Sequence, residues 1–221
     1  MQRVFAIGDI HGCSKTFRKL LLEEIKPQKS DLIFCLGDYI DRGKDSKGVI
    51  DLILDFRANG YAINTLRGNH EQIMMDSVRS KELFGLWMDN GGDETLKSFN
   101  VNAYDNLAPK YKTFFETTEF YLTYEHYLFV HAGINFRSAN PFEDRESMLW
   151  IRGMEVDNNL LGPRIIVHGH TPLFIDSILT QRGKNVINID GGCVYKQVHG
   201  LGNLIGLNVG EEEFISVKNV D

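Results

Sequence analysis

The chain has 221 residues, of which 43% are hydrophobic and 24% charged, with a formal net charge of -6. That composition excludes disordered and fibrous classes and argues against a nucleic-acid surface, which shows as a basic stripe. Three cysteines, Cys13, Cys35 and Cys193, with no CxxC pair, exclude a disulfide framework and a zinc knuckle and read as reduced thiols of a cytoplasmic protein.

The length suits one large domain over 1–221 with a sizeable core. From the amino terminus, MQRVFAIGDIHG runs straight into a strand pattern with no apolar signal core. No apolar run approaches the roughly 18 residues of a membrane span, so no membrane partner is expected. After RVFAIGD, the residues Phe17, Leu20, Leu21 and Ile25 fall at helical spacing. DLIFCLGD is the next strand, followed by a helix carrying Val49, Ile50, Ile53 and Leu54 that stops at Asn59-Gly60. YAINTLRGN closes a βαβαβ unit, which implies parallel strands with right-handed crossovers.

The stretch 71–119 is polar and helical, carries Trp87 and breaks at Asn90-Gly91-Gly92. It reads as helices and loops elaborating one rim of the sheet, either as plain packing helices or as a substrate-selecting lid. YLFVHAG, RIIVHGH, VINIDGG and NLIGLNV are further short strands. Gly191-Gly192, Gly200 and Gly202 separate the last of them without room for helices, so part of the sheet is expected to be antiparallel. A layered α/β sandwich follows, with no repeat or linker to divide it.

Polar residues stand directly after these strands: Asp9 and His11, Asp38 and Asp41, Asn69 and His70, His131, then His168 and His170. The carboxyl ends of strands in an open α/β sheet line one crevice. Each residue alone reads as a turn former, a helix cap or packing. Together they form an Asp/His/Asn set without thiolate, suited to manganese, iron or zinc. An acidic chain still accepts an anionic substrate where a bound cation dominates the local field.

At this point the sequence resembles the metal-dependent phosphoprotein phosphatase family. The match rests on Gly8-Asp9-Ile10-His11-Gly12, Gly37-Asp38-Tyr39-Ile40-Asp41-Arg42-Gly43, Arg67-Gly68-Asn69-His70-Glu71, Val130-His131-Ala132-Gly133 and His168-Gly169-His170-Thr171, in the family's order. The short length and Trp87 before Asn90-Gly91-Gly92 look most like the prokaryotic and phage branch, such as the lambda phage phosphatase. Ile40 departs from the family's usual valine. The resemblance implies a calcineurin-like metallophosphoesterase sandwich, with mixed β-sheets flanked by helices.

By the same motifs, one divalent metal would be held by Asp9, His11 and Asp38. A second would be held by Asp38, Asn69, His131 and His170, with Asp38 bridging; manganese is the first choice of metal. A hydroxide between the two metals would attack phosphorus in line. Arg42 and, on a shorter match, Arg152 would clamp the phosphate oxygens in a bidentate fork. His70, held by Asp41, would protonate the leaving oxygen. Arg67 reads as structural, His126 and His199 as surface or packing residues. Strand alternation places His168 on the same face as His170, open to a role behind the ligands, and Tyr195 aligns loosely with a family tyrosine near the site mouth or serves packing.

The function implied is a serine/threonine protein phosphatase acting on a phosphoprotein or small phosphoester. The nearest alternative is a symmetrical dinucleoside tetraphosphate hydrolase. Those relatives lack the aspartate of Asp-Arg-Gly and carry Asp after Asn-His, whereas Asp41 and Glu71 are both present here. A non-catalytic scaffold is disfavoured by the complete ligand set, and a nuclease by the absence of a basic track.

Overall fold

The computed structural model describes residues 2–221. Strand β1 (Val4–Ile7) leads into helix α1 (Ser14–Lys19), which continues as wider π-type turns over Leu20–Ile25. Strand β2 (Leu32–Cys35), helix α2 (Ser46–Ala58) and strand β3 (Ala62–Thr65) complete the expected unit, with β1, β2 and β3 mutually parallel. The helices of the rim follow: α3 (Asn69–Asp76), α4 (Lys81–Asp89), α5 (Gly92–Phe99) and α6 (Pro109–Glu116). The remaining elements are β4 (Tyr121–Tyr124), β5 (Tyr127–Val130), α7 (Arg145–Trp150), α8 (Asn158–Leu161), β6 (Ile165–His168), α9 (Ile175–Leu179), β7 (Val186–Asn188), β8 (Asn203–Asn208) and β9 (Glu213–Lys218).

The strands form two mixed sheets, ordered β3-β2-β1-β8-β9 and β4-β5-β6-β7. Strand alternation sorts their side chains into layers. Val4, Ala6, Phe34, Phe129, Val167 and Leu207 fill the space between the sheets, where the Phe34 and Phe129 rings stack at 4.2 Å. Phe5, Ile7 and Ile33 face the opposite way, onto Phe17, Leu20, Val49 and Ile53 of the first helices. On the far side, Leu128, Val130 and Ile166 pack with Met148 of α7 and Leu161 of α8. The result is helices, sheet, sheet, helices.

The antiparallel part of the expected sheet is β8, which pairs antiparallel with both β1 and β9. The glycine turns before it do not make a hairpin, however. They carry the chain from one sheet to the other, because β7 pairs parallel with β6 in the second sheet after a crossover through α9. Two strands, β4 and β9, have no counterpart among the strands read from sequence. Both lie at sheet edges and are only partly buried, so their polar and apolar residues mix.

The rim helices contribute to the core, and Asn90 between α4 and α5 also lines a cavity at the end of the strands. Trp87, Phe99, Tyr111, Phe114 and Phe115 are buried in the core shared with α2. All three cysteines are free and buried. Among the described residues no helix is long and apolar enough to cross a membrane.

Candidate active site

The site is built by the turns that follow β1, β2, β3, β5 and β6. Five of its residues, His11, Asp38, Asp41, Arg42 and His170, have φ between 46 and 69°, a region that side chains other than glycine's rarely occupy. Such strain persists only where surroundings over-determine it. Here Glu71 does much of that work. It is wholly buried, and its carboxylate accepts the backbone N–H groups of Asp38, Tyr39 and Gly68, each at 2.9 Å. One side chain thus ties the turn after β2 to the turn after β3. Gly68 is required by this closeness, since a Cβ there would lie 2.1 Å from Asp38 Oδ1.

Two groups of donor atoms meet at Asp38. One ligand atom each of Asp38, His131 and His170 lie within 4.8 Å of one another, and so do those of His11, Asp38 and His70. Asn69 Oδ1 sits 3.0 Å from both His131 Nε2 and His170 Nδ1. His11 Nδ1 lies 2.8 Å from the Ile40 carbonyl and His131 Nδ1 2.9 Å from that of Leu36. A ring nitrogen facing a carbonyl carries the proton, so both Nε2 lone pairs are left facing Asp38. The Nε2 atoms stand 3.5 Å from Asp38 Oδ2 and Oδ1, respectively.

The electrostatics suit a cation. Burial pushes His11, His131 and His170 down, His170 to about 3, so these imidazoles are neutral at neutral pH. His170 Nε2 is buried without a hydrogen-bond partner. Burial, then the charge of neighbouring carboxylates, raises Asp9 and lifts Asp190 to about 7. Buried acids crowded together with neutral imidazoles form a donor set that positive charge relaxes.

Asp9 stands slightly apart from both triads, with its carboxylate accepting the His170 N–H at 3.0 and 3.2 Å. His70 Nδ1 is 2.7 Å from Asp41 Oδ2, and both side chains are buried. Burial opposes charge on this ring, but the charge of Asp38 and the hydrogen bond the ring donates to Asp41 outweigh it and hold His70 above the ordinary histidine range. Arg42 Nη1 reaches to 2.8 Å from His11 Nε2, and its guanidinium lies 5.7 Å over the Tyr195 ring. Arg42 and Arg152 both line a cavity of about 290 Å³ together with Asp38, Asn69, His70 and His170. Arg152 is exposed and bonds only Thr171 Oγ1, at 3.4 Å.

Residues 2–198 match the family of calcineurin-like phosphoesterases. The chain belongs to that family. Serine/threonine-protein phosphatase 1 of Salmonella typhimurium (strain LT2) is 39% identical over 92 residues, which are 42% of this chain and 40% of that protein. The chain therefore spans less than half the length of that relative. The asymmetrical bis(5'-nucleosyl)-tetraphosphatase PrpE of Oceanobacillus iheyensis is 26% identical over 98% of this chain and 92% of its own. A solved structure provisionally described as a diadenosine tetraphosphatase superposes with a TM-score of 0.72 at 21% identity, covering 100% of this chain and 95% of that one; it shows the fold.

Its Asp/His groups could hold a metal ion, which fits the metallophosphoesterase centre of the calcineurin-like phosphoesterases. All ten site residues expected from sequence lie around this crevice or its mouth. Arg67 is structural, bonded to Thr118 Oγ1, Gln72 Oε1 and the Glu116 carbonyl and packed 4.9 Å from Phe120. His126 and His199 are exposed. His168 differs from the expectation of a shared strand face. Strand β6 ends at His168 and the turn brings His170 to φ 68°, so the alternation of a strand does not carry on to His170. His168 Nδ1 lies by the Gly169 carbonyl at 3.2 Å, and burial lowers it to about 4.

Sequence reasoning missed the clamp made by Glu71 and the buried Asp190. For Glu71 the signal was local: an acid at the third position of a helix, poised to reach back over Gly68. For Asp190 there was none, since Asp-Gly-Gly reads as an ordinary turn.

Proposed function

We propose that this calcineurin-like phosphoesterase is a serine/threonine protein phosphatase. The observation that carries the reading is the buried His70–Asp41 pair, 2.7 Å apart, on a cavity lined by two arginines and by ligand groups that share Asp38. Asp9, His11 and Asp38 would hold one divalent cation, and Asp38, Asn69, His131 and His170 the other. Manganese suits this oxygen and nitrogen set best, with iron or zinc also compatible. When bound, the two cations supply an activated water and offset the charge of the phosphate. The three reduced cysteines fit a cytoplasmic setting.

The residues of the chain do the rest. Arg42 and Arg152 fork onto the phosphate oxygens and hold phosphorus against the cavity floor. His70 enters the reaction protonated, because Asp38 and Asp41 favour its charge. It gives a proton to the serine or threonine oxygen as the P–O bond breaks, and leaves as neutral imidazole. An alkoxide is a poor leaving group, so this donation matters most for alkyl phosphates.

The match to nucleosyl tetraphosphatases along nearly the whole chain supports a second reading, hydrolysis of a dinucleoside polyphosphate. Rates on phosphoserine, phosphothreonine and phosphotyrosine peptides and on a dinucleoside tetraphosphate, measured side by side with manganese, decide between them. The expected order places the phosphoserine and phosphothreonine peptides first. A strong preference for the nucleotide overturns the protein-phosphatase reading.

A further inference from the structure

The rim helices α4 and α5 supply no group named in the reaction described above, yet each sends one side chain to the Asp41 carboxylate. Trp87, on α4, is wholly buried, and its Nε1–H is shared between Asp41 Oδ1 at 3.0 Å and Oδ2 at 3.1 Å. Thr95, on α5, is also buried and donates its hydroxyl to Asp41 Oδ1 at 2.6 Å. The same hydroxyl oxygen accepts the Asp41 backbone N–H at 2.9 Å. Ser46 Oγ lies 3.0 Å from Thr95 Oγ1 and 3.2 Å from the Asp41 nitrogen. Asp41 is itself at φ 69°, a conformation that its own backbone does not favour.

We propose that Trp87 and Thr95 are positioning residues for proton donation by His70, acting through Asp41. The inference rests on the reading of His70 as the proton donor. A carboxylate holding an imidazole must keep one oxygen aimed at Nδ1, and it rotates freely about its last bond unless other donors fix it. Trp87 holds both oxygens and Thr95 holds Oδ1, which leaves Oδ2 aimed at His70 Nδ1. They also share the carboxylate's negative charge. Without them the carboxylate turns, the imidazole follows, and the donor is misaimed when the leaving oxygen needs it. A nitrophenolate departs without that proton, whereas a seryl alkoxide does not.

The readout is therefore the ratio of kcat/KM on an aryl phosphate to that on a phosphoserine peptide, in the manganese-loaded enzyme. General acid catalysis contributes roughly 10²–10⁴-fold, so partial misaiming in Thr95→Val and Trp87→Phe is expected to raise the ratio about tenfold or more, through kcat on the peptide. Thr95→Ser keeps the hydroxyl and is expected to return the ratio to near that of the parent. Thr95→Val is nearly isosteric and leaves Ser46 for the Asp41 N–H, so it keeps the test alive if Trp87→Phe folds poorly. His70→Asn is the reference and is expected to raise the ratio most. If His70→Asn raises the ratio and Thr95→Val and Trp87→Phe leave it within about twofold of the parent, the inference is overturned while the donor reading stands. The inference also fails if Thr95→Ser behaves like Thr95→Val. If His70→Asn itself leaves the ratio unchanged, the donor reading falls and takes this inference with it.

Discussion

Asn69 and His70 are neighbours in the chain and have different surroundings. They open helix α3, where successive side chains are turned by about 100° around the axis. Asn69 Oδ1 therefore meets His131 and His170, while His70 Nδ1 meets Asp41. Because a ligand atom of His70 also lies within reach of His11 and Asp38, the division of labour between the pair needs a direct test. Asn69→Ala removes a proposed ligand and is expected to weaken manganese binding by more than the roughly 10–100-fold that loss of a group behind a ligand costs. His70→Asn is expected to keep manganese affinity within a few-fold while phosphoserine turnover falls by roughly 10²–10⁴. Titration calorimetry with manganese beside a turnover assay separates them, and equal loss of metal in both variants would make His70 a ligand. The identities of these residues were legible in the sequence, because metal chemistry restricts which side chains serve. The backbone that aims them was not, since nothing in the letters of His11, Asp38 or His170 announces a positive φ.

Among the elements, α1 shows how a distant residue completes local structure. Cys13 stands at its N-cap position but makes no side-chain cap, so the first helical N–H groups need another acceptor. Asp221 provides it. Its carboxylate accepts the backbone N–H groups of Lys15 and Thr16, each at 3.0 Å, and the Thr16 hydroxyl at 2.6 Å. Negative charge there also meets the positive end of the helix. Asp221→Ala is expected to lower stability by about 1 kcal/mol, as loss of an N-cap does, seen as a lower urea midpoint with an unchanged slope. A midpoint equal to the parent's would mean that water replaces the carboxylate without loss. No local pattern in the sequence pointed to this cap, because its donors and acceptor are about 200 residues apart. Edge strands β4 and β9 escaped notice for a related reason: with one side unpaired and partly wet, they lack the continuous apolar run that marked β1, β2 and β5.

At the scale of the whole molecule, the site lies across the seam between the sheets. Asp9 and Asp38 follow strands of the first sheet, whereas His131, His170 and Asp190 follow strands of the second. A cation held by Asp38, His131 and His170 would therefore tie the sheets together, and its binding free energy would add to folding. At a free concentration about 100 times Kd that contribution is about 2.7 kcal/mol, so chelation is expected to lower Tm clearly. Acidity adds a sign that can be checked. Asp190 is buried with a folded pKa raised to about 7 against an ordinary 3.8, and Asp9 is raised as well. A carboxyl raised on folding contributes stability that is full below its unfolded pKa and lost as pH rises through its folded one. In the chelated protein this contribution declines between about pH 4 and pH 7. Manganese reverses it, because ligation requires Asp9 ionised and the added positive charge favours the ionised form of Asp190 nearby. The gap between the manganese-loaded and chelated Tm is thus expected to widen from pH 5 to pH 8, read by scanning calorimetry at fixed free manganese. A gap that stays constant or narrows over that range would mean that the cation does not relieve the crowding of Asp9, Asp38 and Asp190.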